Sequence, residues 1–164
     1  MREGIKMNRE ILFRGKSVET NEWVYGTYLL EKYSNTPYIC YFEYGTFVNI
    51  KQIEVHPETV GEFTGMTDKN GTKIFEGDIV RTQPFYDRPY STTRKEKQFL
   101  GVVEHYIKTF RNPGSPTNGQ KYDSSWRVNI VEDIVDYGCY NWTRFWNCEV
   151  VGNKFDNPEL LSKE

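Results

Sequence analysis

The stretch Glu62–Thr82, EFTGMTDKNGTKIFEGDIVRT, decides how the chain is read. Asn70-Gly71 lies between two runs of alternating polar and apolar residues, the strongest short-range signal for a β-hairpin. It predicts a two-residue type I′ turn, in which both central residues take positive φ. Glu76-Gly77-Asp78 predicts a second turn, with Gly77 supplying positive φ and Asp78 hydrogen-bonding nearby backbone. Ile79-Val80-Arg81-Thr82 then leaves as a strand. A strand that begins directly after such a turn is typical of small, strongly bent barrels. The stretch therefore sets a mainly β architecture. It contains no nucleophile beside a base, no metal-ligand cluster and no phosphate cradle.

Composition agrees with this reading. The chain has 164 residues, of which 37% are hydrophobic and 16% aromatic. Length suits one domain with loop insertions, and aromatic and β-branched residues favour strands. The core is expected to rely on Tyr, Phe and Trp more than on Leu and Ala. The formal net charge is −2, without the basic surplus of a protein that works through nucleic-acid phosphates. Cys40, Cys139 and Cys148 are odd in number and match no disulfide scaffold, which fits a reducing compartment. No apolar run has the length of a membrane span or a signal core. The expectation is a cytoplasmic protein with no membrane partner.

Outward from the opening stretch, strands are expected over Ile11–Phe13, Trp23–Leu30, Tyr38–Tyr44, Phe99–Tyr106, Trp126–Ile130 and Cys148–Gly152. Phe47–Ile50 is a candidate to pair back on the aromatic strand, and Lys51–His56 alternates with Ile53 and Val55 on one face. Pro57-Glu58-Thr59-Val60 and Asn157-Pro158-Glu159 read as short helical turns with proline at an early position. Val131–Asn141 is ambiguous: Ile130, Ile134 and Tyr137 are spaced for one helical face, which makes a short helix a candidate there, and one or two short helices are expected in all. Residues 83–98 and 112–125 are polar, rich in Pro, Gly, Ser and Thr, and read as long loop insertions. Residues 1–6 read as an N-terminal extension and residues 7–164 as a single β domain.

Candidate chemistry is sparse. His56, His105 and the three cysteines fall at no zinc-ligand spacing. A Cys–His pair is arithmetically available but carries no local signature. Glu76 and Asp78 are better explained by turn geometry than by acid–base work, and Glu132, Asp133 and Asp136 read as a solvated face. The glycines lie around turns and do not form a nucleotide-binding fingerprint. No catalytic residue, metal or cofactor is expected. One segment stands out as a binding surface: Tyr86, Arg88, Tyr90, Arg94, Lys95 and Lys97 interleave rings and cations, as single-strand-binding loops do. Trp23, Tyr25 and Tyr28 are candidates to extend such a platform.

Three blocks of sequence resemble the YopX family, proteins encoded by phages and prophages. They are Phe13-Arg14-Gly15-Lys16 with Trp23-Val24-Tyr25-Gly26; Val55 through Gly61, Phe63-Thr64-Gly65 and Asp68–Val80; and Glu149–Asn153 with Asn157–Leu161. The resemblance implies an SH3-like barrel type core, a phage origin and no established catalytic residues. The expected function is a non-enzymatic accessory protein that acts by binding a protein, with a second copy of itself among the candidates. The alternative is a single-stranded nucleic-acid-binding module using segment 86–97.

Overall fold

A computed structural model of the chain describes residues 10–45, 47–82, 85–86, 96–111, 120–130 and 147–162. The fold is mainly β, and helix among the described residues is confined to 3-10 turns, among them Pro57–Thr59 and Pro158–Leu161. The strands are β1 Phe13–Lys16, β2 Trp23–Leu30, β3 Pro37–Tyr44, β4 Val48–Glu54, β5 Gly61–Thr67, β6 Lys73–Phe75, β7 Asp78–Arg81, β8 Phe85–Tyr86, β9 Glu96–Lys97, β10 Leu100–Arg111, β11 Gln120–Ile130 and β12 Glu149–Asn153. The chain divides into two compact units. One runs to Thr67 and includes Lys73–Phe75; the other holds Asp68–Thr72 and everything from Glu76 onward.

The first unit is a six-stranded antiparallel sheet in the order β4-β3-β2-β1-β5-β6. Its most buried apolar residues are Ile39, Val55, Phe63, Ile74 and Phe75. The Arg14 guanidinium is also buried here, 4.5 Å from the Trp23 ring and 4.9 Å from the Phe75 ring. A weakly hydrated planar cation tolerates such stacking better than an ammonium would.

The second unit contains a four-stranded sheet, β11-β10-β7-β12, and the two-stranded pair β8-β9. Strand β7 lies between β10 and β12, and its successive residues Ile79 and Val80, which point to opposite faces, are both fully buried. Strands buried on both faces read as continuous apolar runs rather than alternations. Phe99, Val103, Trp126 and Cys148 complete this core.

Several expectations change. The sheets are not closed into the barrel that the resemblance implied, because β4 and β6 stand at opposite ends of the first sheet. Of the loop expected over 112–125, residues 120–125 are strand instead, since β11 begins at Gln120 and pairs with β10 in unbroken register. Core composition follows the expectation: among the described residues Phe63, Phe75, Phe99 and Trp126 are buried and no leucine is, while the largest fully buried side chains, Ile39, Ile74, Ile79, Val55, Val80 and Val103, are β-branched. The candidate helix within Val131–Asn141 lies outside the described residues.

The two turns of the opening stretch differ from each other. At the first, Asn70 does not take positive φ; Gly71 does, at +85°. The Gly71 N–H donates to the Asp68 carbonyl at 3.0 Å, and the Asp68 N–H donates to the Thr72 carbonyl at 2.8 Å. Strand pairing resumes at Thr67 and Lys73, so the loop has five residues rather than two. The reason is Asp68. Its Oδ1 accepts the N–H groups of Asn70 and Thr72 at 2.8 and 2.9 Å, so a side chain closes the turn that backbone alone was expected to close. The second turn follows the expectation at its glycine. Gly77 has φ +82°, and Asp78 opens a strand.

Candidate interaction surface

The β3–β4 hairpin is built by its sequence. Before it, Glu31 organises the β2–β3 turn: its carboxylate accepts the Tyr33 and Ser34 N–H groups and the Ser34 hydroxyl. The Ser34 hydroxyl is the largest cause that holds the Glu31 carboxyl below its ordinary value. Asn35 takes the left-handed conformation, φ +62°, that asparagine tolerates. Strands β3 and β4 then pair regularly from Tyr38↔Glu54 to Tyr44↔Val48, with no bulge.

Strand β2 covers only part of β3. Its pairs run from Leu30↔Pro37 to Thr27↔Cys40. From Tyr41 onward, β4 is the strand that pairs with β3, so the far half of the hairpin is a two-stranded ribbon. Directly opposed residues share a face. One face of that ribbon carries the pairs Phe42↔Ile50 and Tyr44↔Val48; the other carries Tyr41↔Lys51 and Glu43↔Asn49.

The ribbon is therefore amphipathic. On its polar face Lys51 Nζ lies 3.3 Å from Glu43 Oε2. On its apolar face Phe42, Tyr44, Val48 and Ile50 are 59, 79, 60 and 69% exposed, and the Phe42 and Tyr44 rings lie 6.4 Å apart. Phe47, in the connection between the strands, is 78% exposed. A ribbon of two strands is marginally stable in water unless something packs on its apolar face.

Sequence reading missed this surface although a signal was present. Ile50 and Ile53 are three apart on one strand, so they point to opposite faces. At the base of the hairpin the apolar side is that of Ile39 and Ile53, and Ile39 is fully buried. Past Gln52 the apolar side switches to the other face. A core-directed strand keeps one apolar side; an odd spacing marks a side that the core does not explain.

The expected basic and aromatic segment is placed only in part. Phe85 pairs with Lys97 and Tyr86 with Glu96, so the backbones of Tyr86 and Lys97 stand on neighbouring strands. Arg88, Tyr90, Arg94 and Lys95 lie outside the described residues. The proposed platform of Trp23, Tyr25 and Tyr28 is not one surface. Trp23 and Tyr25 share a face of β2 and Tyr28 points to the other. The Tyr28 ring packs 5.6 Å from Phe13, and Tyr25 packs edge-on at 5.6 Å from Phe75.

Chemistry-bearing groups are dispersed. His56 Nδ1 lies 4.0 Å from Glu58 at the surface, and His105 packs edge-on against Trp126 at 5.0 Å. Cys148 is buried, and burial, with the Asp68 and Asp78 charges, pushes its thiol up to about 11. A thiol held protonated is a poor nucleophile. Among the described residues no three His, Cys, Asp or Glu side chains are grouped to hold a metal ion. Asn70, Gly71, Glu76, Gly77 and Asp78 serve turns, and Asp78 is 1% exposed at the start of β7.

Comparison with known families gives one assignment: the family described as YopX protein matches residues 12–162. The chain belongs to the YopX family. Among solved structures, this YopX chain resembles protein EF1440 from Enterococcus faecalis, at 21% identity and a TM-score of 0.40, over 94% of this chain and 100% of that one. No match was found among curated proteins. No helix among the described residues of this YopX protein is long and apolar enough to cross a membrane.

Proposed function

We propose that this YopX-family chain is a phage- or prophage-encoded accessory protein that acts by binding, not by catalysis, in the host cytoplasm. One observation carries the reading. The β3–β4 ribbon presents Phe42, Tyr44, Val48 and Ile50 on one face with more than half of each exposed, while its polar face holds its own ion pair. Contiguous exposed apolar patches on soluble chains mark interaction sites, and aromatic anchors dominate the centres of protein interfaces. The partner is a protein, because the patch itself carries no cation for phosphate.

Affinity capture from infected host lysate, with and without nuclease, tests this. A protein retained by the wild type after nuclease, and released by the Phe42→Ser/Ile50→Lys double variant, is the expected result. Retention that disappears with nuclease and ignores the double variant would replace this reading with nucleic-acid binding.

A further inference from the structure

We propose that the apolar face of the β3–β4 ribbon packs against the same face of a second copy of this chain, with Phe42, Tyr44, Val48 and Ile50 of each copy forming a small two-layer core. The inference rests on the interaction reading above and names its partner. Three features of the hairpin argue for it.

The first is charge. The four side chains are neutral, so two copies meet without like-charge repulsion. The nearby charges, Lys51 and Glu43, pair with each other on the opposite face and stay in water when the apolar faces meet. A heterologous partner with a charged site would find no complement on this face.

The second is area. Rings and aliphatic side chains exposed to this degree present on the order of 400 Å2 per copy, and Phe47 adds to it. Joining two copies removes roughly 800–1,000 Å2 from water, close to the ~1,000 Å2 at which specific interfaces begin. The expected dimer is thus weak and concentration-dependent.

The third is geometry. Two ribbons facing each other at ~10 Å make a four-stranded sandwich, which supplies the second layer that a lone ribbon lacks. A two-fold axis makes such a contact self-limiting, because each copy uses the same patch once.

Sedimentation velocity of the full chain between about 1 and 100 µM, with the wild type, Ile50→Lys, Val48→Lys and Asn49→Lys, tests the proposal. These positions are exposed, so the variants retain the fold. The wild type should approach twice its 19.4 kDa mass as concentration rises. Ile50→Lys and Val48→Lys should weaken association at least tenfold, and Asn49→Lys, on the polar face, should leave it within about twofold. A wild type that stays monomeric at 100 µM overturns the proposal, as does an association that Asn49→Lys weakens as much as Ile50→Lys. If the wild type is monomeric but loses a captured protein on Ile50→Lys, the second copy is wrong and the interaction reading stands. If neither association nor capture responds to Ile50→Lys, both fall. Sedimentation of the wild type with neutral phosphatidylcholine vesicles, abolished by Ile50→Lys, would identify lipid as the occupant instead and overturn the proposal.

Discussion

Asp68 Oδ2 accepts the backbone N–H of Val150 at 3.0 Å, across 82 positions of sequence. The other oxygen of the same carboxylate accepts Asn70 and Thr72, and the side chain is nearly buried. One carboxylate thus closes a turn and ties it to strand β12. Beside it, Lys69 Nζ pairs with Glu149 at 2.8 Å and the Lys69 N–H donates to the Cys148 carbonyl at 3.0 Å.

Asp68→Ala should leave three backbone donors without their acceptor, at a cost of about 2–4 kcal/mol. Asp68→Asn keeps one acceptor oxygen and should cost less. Urea unfolding of the two variants checks the order. Equal midpoints for Asp68→Ala and the wild type would show that the carboxylate contributes nothing.

Acid should destabilise the protein through the same group. Burial alone would raise the Asp68 carboxyl, but the N–H donors of Val150, Thr72 and Asn70 outweigh it and hold it below its ordinary 3.8. Glu149 is likewise held below 4.5, first by its hydrogen bond from Lys69. A carboxyl lowered in the folded state contributes stability above its unfolded value, and that contribution is lost as pH falls through the folded value. Unfolding midpoints measured from about pH 6 down to pH 3 should therefore fall below roughly pH 4.5. Asp68→Asn should flatten that acid limb; an unchanged limb would remove Asp68 as its origin.

The two turn glycines should respond differently to alanine. Gly71 and Gly77 both have positive φ, and a non-glycine residue there costs roughly 1–2 kcal/mol. A Cβ on Gly71 meets nothing within 4 Å, and on Gly77 it makes only ordinary van der Waals contact with Lys154 and Phe155 at 3.4 Å, so space does not separate them. The backbone does: the Gly77 N–H donates to the Val103 carbonyl and its carbonyl accepts from the Lys154 N–H, and these two long-range bonds oppose any relief of its φ. Gly77→Ala should thus cost more than Gly71→Ala, and Gly71→Asn should recover most of the loss at that site. Thermal melts decide it; equal losses would show that the Gly77 surroundings adjust freely.

Thiol chemistry gives a further check. With its thiol pushed up to about 11 and the side chain 1% exposed, Cys148 should stay unmodified by a maleimide at pH 8 in the folded protein and react once urea unfolds it. Peptide mass spectrometry distinguishes it from half-buried Cys40. Rapid labelling of folded Cys148 would contradict its burial.

The β class and most strand positions could be read from the chain before folding was considered. Trp23–Leu30 is a strand with the predicted ends, and Asp78–Arg81 follows its glycine turn, because alternation and turn residues are local signals. The two proline-led turns at Pro57 and Pro158 were legible for the same reason. Family membership was legible too, since its motifs are spread from Phe13 to Leu161. Which residue closes the Asp68–Thr72 turn was not, because the deciding acceptor also serves Val150, far away in sequence. The open sheets were decided by which strands pair at long range. Nor could alternation alone say which face of β4 meets a core. That depends on where β2 stops covering β3, and it stops at Cys40, leaving Phe42 and Ile50 in water.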